Sequence, residues 1–492
     1  MHKRFEQQIR LGTVAIPDVT FPLRSRDELP AVLAALQYIF ITPELNNKVF
    51  ELLEEKICKR KKKAGRPGMD LWHILVLAVV RHATNTNWDT LELWSNDLSL
   101  LRKVMGVYNP KFDEKDGIRF QCQTIKDNVS PIDEQLLEKI NQLVVEAGHK
   151  MVFKKKEELR LKTDSFVVET NVHFPTDINL LWDSTRKGFD MVEQLNKVVK
   201  IKGWRKIKSL RMSFKGLFRH TSNVVFKGKD EKKKKETVRH YLEVAWGLKE
   251  RFDEIIKNPP FTFDAAGTVE AIVNSLRNYS EYVDTFSNQI ERRLIKGETI
   301  AADEKVFSIF EPHTEWITKG KQNKKVELGL LTLITTDQHQ FIVDYKVMEQ
   351  ERDHAQVKPL FERIDNDFSG CNILSHSFDK GFYSKENMQT LEQSRVEKGI
   401  LPKKGRHNKE DKERESDPEF KKLRRNHSTV ESNINMLEHH GLNRCMDKGV
   451  KHFKRFVGLS VLAYNLHILG NIILEAERKK EEKLLHWLKM AA

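Results

Sequence analysis

The chain has 492 residues, 39% of them apolar and 32% charged, which excludes a small binding module, a disordered tail and a fibre, and implies about two to four domains. Lys and Arg number 85 against 71 Asp and Glu, a net charge of +14, which suggests a polyanionic partner, either nucleic acid or an acidic membrane.

The opening segment MHKRFEQQIRLG is polar and has no apolar core, unlike a secretory signal. Residues 1–60 are mixed, with a helix predicted around Pro43 to Cys58 because Val49, Leu52, Leu53 and Ile57 follow helical spacing. The basic run KRKKKAGRPGMD breaks regular structure at Gly65, Pro67 and Gly68, and Asp70 is placed to cap a following helix, LWHILVLAVVRHA. Lys59 to Arg66 reads equally as a linker or as an arm for a narrow minor groove. Further helices through Trp88, Leu91, Leu93 and Trp94 and through LSLLRKVMG make residues 70–150 a bundle of helix-turn-helix size, docking on DNA or dimerising. Trp88 and Trp94 read as core residues of that bundle.

The pattern changes at LRLKTDSFVVETNVHF, rich in β-formers, which predicts one or two strands. Residues 186–300 return to helical periodicity, clearest in YLEVAWGLKERFDEII and VEAIVNSLRNYSEYVDTFSNQIERRL. Within them, residues 186–239 carry 18 Lys or Arg against 5 Asp or Glu. Nearly the whole charge excess is therefore local, and Trp204, Phe214, Phe218 and Phe226 interleave it as a nucleic-acid surface would require. A solvated helix face is the plain alternative.

Strands are predicted at VFSIFE (306–311), at VELGLLTLITTD and FIVDYKVM as a hairpin, at CNILSHSF and at KGILP, with helices near Ala355 to Ile364 and after Ser384. Residues 402–425 are charged and nearly free of apolar residues, which predicts a mobile connector or one laid on a partner. Helices from Ser428 to His440 and from Val450 to Leu488 close the pattern. The apolar stretch Phe456 to Leu474 has the length of a membrane span, but Asn465, His467 and Asn471 would be costly in lipid, so it reads as a buried helix. Cys58, Cys122, Cys371 and Cys445 form no CxxC pair, which argues against a zinc ribbon and a disulfide framework and fits a reducing cytosol. The histidine pairs His73/His82 and His439/His440 lack zinc spacing.

Three acids sit at element ends: Asp164 in the first strand, Asp379 directly after CNILSHSF, and Glu431 at the start of a helix. Two aspartates from neighbouring strands and a glutamate from a crossing helix would form an oxygen-rich pocket for Mg²⁺, able to hold two ions for phosphodiester chemistry. Each acid also has a bland reading: a strand-edge aspartate, a turn at Asp-Lys-Gly, and a capping box Ser428-Thr-Val-Glu431.

With these residues in place the chain resembles the DDE transposases of bacterial insertion sequences. The likeness lies in LKTDSFVVETNVHFPTDINLLWDS around Asp164, SFDKGFYSKEN around Asp379 and STVESNINMLEHHGLNRC around Glu431, with support from ADEKVFSIFEPHTEWITKGK and GRPGMDLWHILVLAVVRHATNTNWDTLELWSN. The resemblance implies an α/β fold with a ribonuclease-H-like mixed sheet, a helical insertion, an N-terminal helical bundle and C-terminal helices. The corresponding divisions are 1–150, a helical DNA-binding or dimerisation region; 151–185 with 300–447, the catalytic core; 186–299, the basic insertion; and 448–492, the C-terminal helix. It further implies metal-dependent cleavage and strand transfer on double-stranded DNA, with Asp164, Asp379 and Glu431 as catalytic and metal-binding residues for two Mg²⁺ ions, or Mn²⁺ in their place. The DNA partners implied are the terminal inverted repeats of an element and a target, bound by a homodimer in the bacterial cytoplasm at the nucleoid, with no membrane.

One branch of that group carries Tyr, Arg and Lys around the glutamate where this chain has Arg424, His427 and Glu438. Candidate DNA contacts are accordingly Arg66, Lys380, Arg424, Arg425 and His427. The competing functions are a ribonuclease-H-like nuclease or recombinase without strand transfer, and a captured, inactive transposase acting as a DNA-binding protein.

Overall fold

A computed structural model of the chain describes residues 2–9, 12–58, 68–109, 117–153, 158–260, 265–301, 303–318 and 326–491. The basic run Lys59 to Arg66 lies outside the described residues. The chain divides into two compact units: Met1–Asn171 with Gly329–Ala492, and Val172–Leu328.

The first unit opens with helices α1 (Leu29–Ile41), α2 (Pro43–Ile57), α3 (Leu71–Ala83), α4 (Trp88–Asp97), α5 (Ser99–Val104), α6 (Cys122–Val129) and α7 (Glu134–Val152). In α2 the buried residues Leu45, Val49, Phe50, Leu53 and Ile57 keep the helical spacing that predicts it. Helix α1 has no counterpart among the predicted elements; it is apolar nearly all round and buried from Leu29 to Leu36, so periodicity does not mark it. Asp70 precedes α3 in extended conformation, as a cap residue should, but its side chain accepts no capping hydrogen bond. The core tryptophan of this region is Trp72, fully buried, whereas Trp88 and Trp94 are half-buried and Trp88 carries the Arg81 guanidinium 4.1 Å from its ring centre. One long strand, β1 (Glu158–Thr170), follows.

The second unit holds α8 (Asp177–Val198), α9 (Ile207–Lys227), α10 (Glu231–Lys257), α11 (Ala266–Ile290) and the short strand β2 (Glu315–Thr318). Its core is built on Phe189, Trp204, Phe214, Tyr241, Phe252 and Phe286. On α9 the buried positions Ile207, Phe214 and Thr221 recur at heptad spacing, and Lys208, Arg219 and Lys227 are exposed on the rest of the helix. The strand expected at 306–311 does not form. There the Ser308 hydroxyl accepts hydrogen bonds from the backbone N–H groups of Phe310 and Glu311, each at 3.1 Å, and this local turn replaces a ladder.

Back in the first unit come β3 (Val326–Thr336), β4 (Ile342–Val347), α12 (Val357–Asp367), β5 (Asn372–Phe378), α13 (Lys385–Gln393) and β6 (Lys398–Ile400). They are followed by α14 (Lys409–Ser416), α15 (Pro418–His427), α16 (Thr429–Leu437), β7 (Arg444–Cys445) and α17 (Val450–Ala491). The strands pair in the order β4-β3-β1-β5-β6, antiparallel on the β3 side of β1 and parallel on the β5 side, a ribonuclease-H-like mixed sheet. The β3–β4 hairpin turns at Asp337, whose carboxylate accepts from the N–H groups of His339 and Phe341, with Gln340 at φ 72°.

The segment 402–425 is not a connector but two helices. Asn408 and Asp411 form a capping box on α14, and Asp417 caps α15 ahead of Pro418. The ion pair of Glu415 with Arg424 joins the two helices, and those of Glu415 with His407 and of Asp411 with Lys403 tie α14 to the segment before it. Charge alone hid these helices, because their stability comes from caps and ion pairs rather than an apolar stripe.

Helix α17 is long and apolar enough to cross a membrane, yet 72% of its apolar window is buried within the fold. Its Asn465 explains why a polar residue belongs there. The side-chain oxygen accepts from the Ile342 N–H at 2.8 Å, and the amide donates to the Ile342 carbonyl at 2.8 Å and to Asn141 at 2.7 Å. Asn465 thus satisfies the edge of β4 that no strand covers. At Gly470 a β-carbon would lie 1.8 Å from the Ala31 carbonyl oxygen, so the close approach of α17 to α1 admits only glycine.

Candidate active site

Register brings two of the three predicted acids together. Strand β5 runs parallel to β1 with Thr163 opposite Phe378, its last residue. Asp164 and Asp379 therefore occupy the next positions on adjacent chains, at the carboxyl end of β5, where strand neighbours are spaced about 4.8 Å apart. A bulge between Leu159 and Arg160 sets this register. The β5 ladder on β1 ends at Thr163, and β7 joins the same strand from Glu169.

Alternation along β1 fixes which side chains share a face. Thr163 points into the core and bonds Thr335 and His376, both at 2.7 Å. Lys162, Asp164 and Phe166 point the other way, toward α16, and Phe166 and Val168 pack with Val430 and Leu437 of that helix. Lys162 donates to the Thr429 hydroxyl at 2.7 Å, tying the first turn of α16 to β1. Glu431 is in that first turn. Ser428 itself is helical and its hydroxyl donates to the Arg425 carbonyl, so the expected capping box does not exist and the Glu431 carboxylate is not engaged by it.

Burial pushes the Asp164 carboxyl up to about 7. The Ser165 N–H, 2.7 Å away, opposes the shift, while the charges of Asp379, Asp353 and Glu431 add to it. Three further carboxylates thus lie within electrostatic reach of Asp164. Asp353 is the one that no motif reveals. It opens a short turn before α12, its oxygen Oδ1 is buried without a hydrogen-bond partner, and Ser165 donates to the carboxylate from its side chain. Burial raises its pKa, and the Asp379 charge raises it further. A β-carbon on Gly381 would lie 2.9 Å from Asp353 Oδ2, so the glycine after Lys380 is what lets this carboxylate reach the Asp379 turn. Nothing local in ERDHAQ distinguishes Asp353 from an ordinary helix-start aspartate.

An oxygen-only donor set with one orphaned buried oxygen and converging negative charge suits a hard divalent cation. Around it, Lys380, Arg424 and Arg425 are exposed, although Arg424 reaches Glu415 at 3.1 Å. His427 is half-buried, with Nδ1 3.0 Å from the Ser377 hydroxyl; burial lowers its pKa and the Asp379 charge acts in the opposite direction. Arg66 is outside the described residues. In the second unit Lys202, Arg205, Lys206, Lys208, Arg219 and Lys227 are exposed. Of the interleaved aromatics, Trp204 and Phe214 belong to the core rather than to a stacking surface, and Phe226 is 56% exposed.

No curated protein and no solved structure matches the chain. Residues 295–466 match the transposase DDE domain, a span that holds Asp379 and Glu431 and begins after Asp164. The pairing of β1 with β5 brings Asp164 to the matched segment, and the match, over about a third of the chain, supports a DDE transposase.

Proposed function

We propose that the protein binds the ends of an insertion element and catalyses DNA cleavage and strand transfer there, with Asp164, Asp379 and Glu431 as the catalytic carboxylates and Asp353 as a fourth acid of the same pocket. The observation that carries this reading is the register of the parallel strands β1 and β5, in which Asp164 and Asp379 each follow directly on the Thr163–Phe378 pair, with the Glu431 charge acting on Asp164. When bound, two Mg²⁺ ions, or Mn²⁺ in their place, would supply the positive charge that activates the attacking oxygen and stabilises the leaving one. Asp164, Asp379 and Glu431 would hold them.

The chain's own groups divide the remaining work. Lys162 holds the first turn of α16, and hence Glu431, against β1. Ser165 positions Asp164 through its N–H and Asp353 through its side chain. Lys380, Arg424, Arg425 and His427 lie near Asp379 or on the last turn of α15, where DNA backbone phosphates would pass. The exposed lysines and arginines of the second unit would neutralise further phosphates and make binding steeply salt-dependent. Such a substrate places the protein at the bacterial nucleoid, and synapsis of two ends calls for a dimer on DNA.

The test is incubation of purified protein with labelled DNA carrying the sequences that flank its gene, in Mg²⁺ or Mn²⁺, alongside Glu431→Gln. Nicks at the element boundary, joined products with a target, and loss of both in the variant are expected. Salt-sensitive binding without cutting in either protein would refute the catalytic reading and leave a DNA-binding role.

A further inference from the structure

A second cluster lies where the turn after α16 meets α1 and α17. That turn, Glu438–Leu442, is a π-type turn closed by Gly441 at φ 95°. His440 in it is 1% exposed and donates from Nδ1 to the Ala83 carbonyl at 2.8 Å. The donation fixes the tautomer and leaves Nε2 with a lone pair. Nε2 is buried and has no hydrogen-bond partner; it faces Glu28 Oε2 at 3.4 Å, another acceptor. His467 of α17 is 9% exposed, and its Nδ1 is likewise buried without a partner. The three groups can bring one ligand atom each within 4.8 Å of one another.

His440 Nε2 and the Glu28 carboxylate are two electron-pair donors face to face, and His467 Nδ1 is the third once the Asn471 amide, whose nitrogen and oxygen are interchangeable by rotation, turns its oxygen to the Nε2–H. A cation resolves this. We infer that Glu28, His440 and His467 form a binding site for a zinc-class divalent transition ion, separate from the carboxylate pocket and independent of its assignment.

Two imidazoles and one carboxylate are a zinc donor set and a poor one for Mg²⁺, which prefers oxygen. Bonds of about 2.0–2.2 Å in a tetrahedron separate ligand atoms by about 3.3 Å, close to the existing 3.4 Å between His440 Nε2 and Glu28 Oε2. Glu28, about a third exposed, marks the side from which a water completes the shell. The outer contacts are also present. The Ala83 carbonyl orients His440, and the Asn471 amide, 3.0 Å from His467 Nε2, orients the second ring when its oxygen faces that N–H. The ion would pin the end of the helix bearing Glu431 to α1 and α17, which is a structural role.

Full-length protein, stripped with chelator and returned to buffer with excess Mg²⁺ to fill the carboxylate pocket, is titrated with Co²⁺ while visible absorption is recorded. Expected are one equivalent bound with the strong absorption of four-coordinate, nitrogen-ligated Co²⁺, displacement by Zn²⁺, and an unfolding midpoint raised by Zn²⁺. Glu28→Gln, conservative and at the rim, should keep the fold and weaken binding at least tenfold, and His467→Gln should abolish the band. Weak six-coordinate absorption only, equal binding by both variants, or an unfolding midpoint indifferent to Zn²⁺ in the unsubstituted chain would overturn the site and leave a protonated His440 paired with Glu28.

Discussion

Replacing Asp164 with Asn should stabilise the metal-free protein while abolishing cleavage. Asp164 ordinarily titrates at 3.8 and is pushed up to about 7 by burial and by Asp379, Asp353 and Glu431. Between those values the folded chain keeps a proton that the unfolded chain has released, so rising pH favours the unfolded form across that window. The penalty is complete above about pH 7; at about 1.4 kcal/mol per unit it approaches ~4 kcal/mol, an upper figure because the side chain is not fully enclosed. Asparagine keeps the volume and the acceptor for the Ser165 N–H and carries no charge. In chelator above pH 7, urea unfolding followed by circular dichroism should therefore show Asp164→Asn more stable by ~2–4 kcal/mol, with the gap closing as pH falls toward the ordinary carboxylate range. Mg²⁺ should then raise the stability of the unsubstituted chain more than that of the variant. Equal stabilities at high pH, or a gap that widens on acidification, would refute the electrostatic reading of the pocket.

The fourth acid gives a graded outcome: Asp353→Asn should fold normally and raise the Mg²⁺ concentration needed for half-maximal cleavage several-fold, and an unchanged Mg²⁺ dependence would remove Asp353 from the site. Charge reversal of Lys232, Lys233 and Lys235, all exposed on α10, should weaken binding to DNA of any sequence and flatten the log–log salt dependence by about one unit for each phosphate no longer neutralised. A slope equal to that of the unsubstituted chain would return those lysines to a solvated helix face. Asn465→Leu should cost ~2–5 kcal/mol in urea unfolding, because the Ile342 N–H and the Asn141 amide oxygen would be buried without partners.

Much of the sheet was legible in the sequence because strands buried on both faces read as apolar β-branched runs: β3, β4 and β5 lie within a residue or so of where VELGLLTLITTD, FIVDYKVM and CNILSHSF place them. The segment VFSIFE has the same composition and is not a strand, since a serine turn competes locally and composition cannot register that competition. Asp379 and Glu431 were legible through their motifs, whereas Asp353 joins the pocket only through the fold, by way of a turn before α12 and a glycine that makes room for it. The same holds for Glu28, His440 and His467. No spacing rule connects them, and His440 beside His439 lacks the separation that would mark a zinc ligand along the chain. What unites the three is the packing of α1 and α17 around one turn.

Helix α17 has a consequence for how the protein comes into being. It packs on α1, α3 and α7, so helices made early in synthesis must wait for it with apolar faces such as Val32, Leu33 and Leu36 uncovered. The second unit closes on its own helices and has no such delay. The acid pocket also depends on late arrivals, since Asp164 meets Asp379 and Glu431 only when β5 and α16 have joined β1. An interrupted chain would therefore expose a sticky helical layer beside a finished basic unit, with the acid pocket still unassembled.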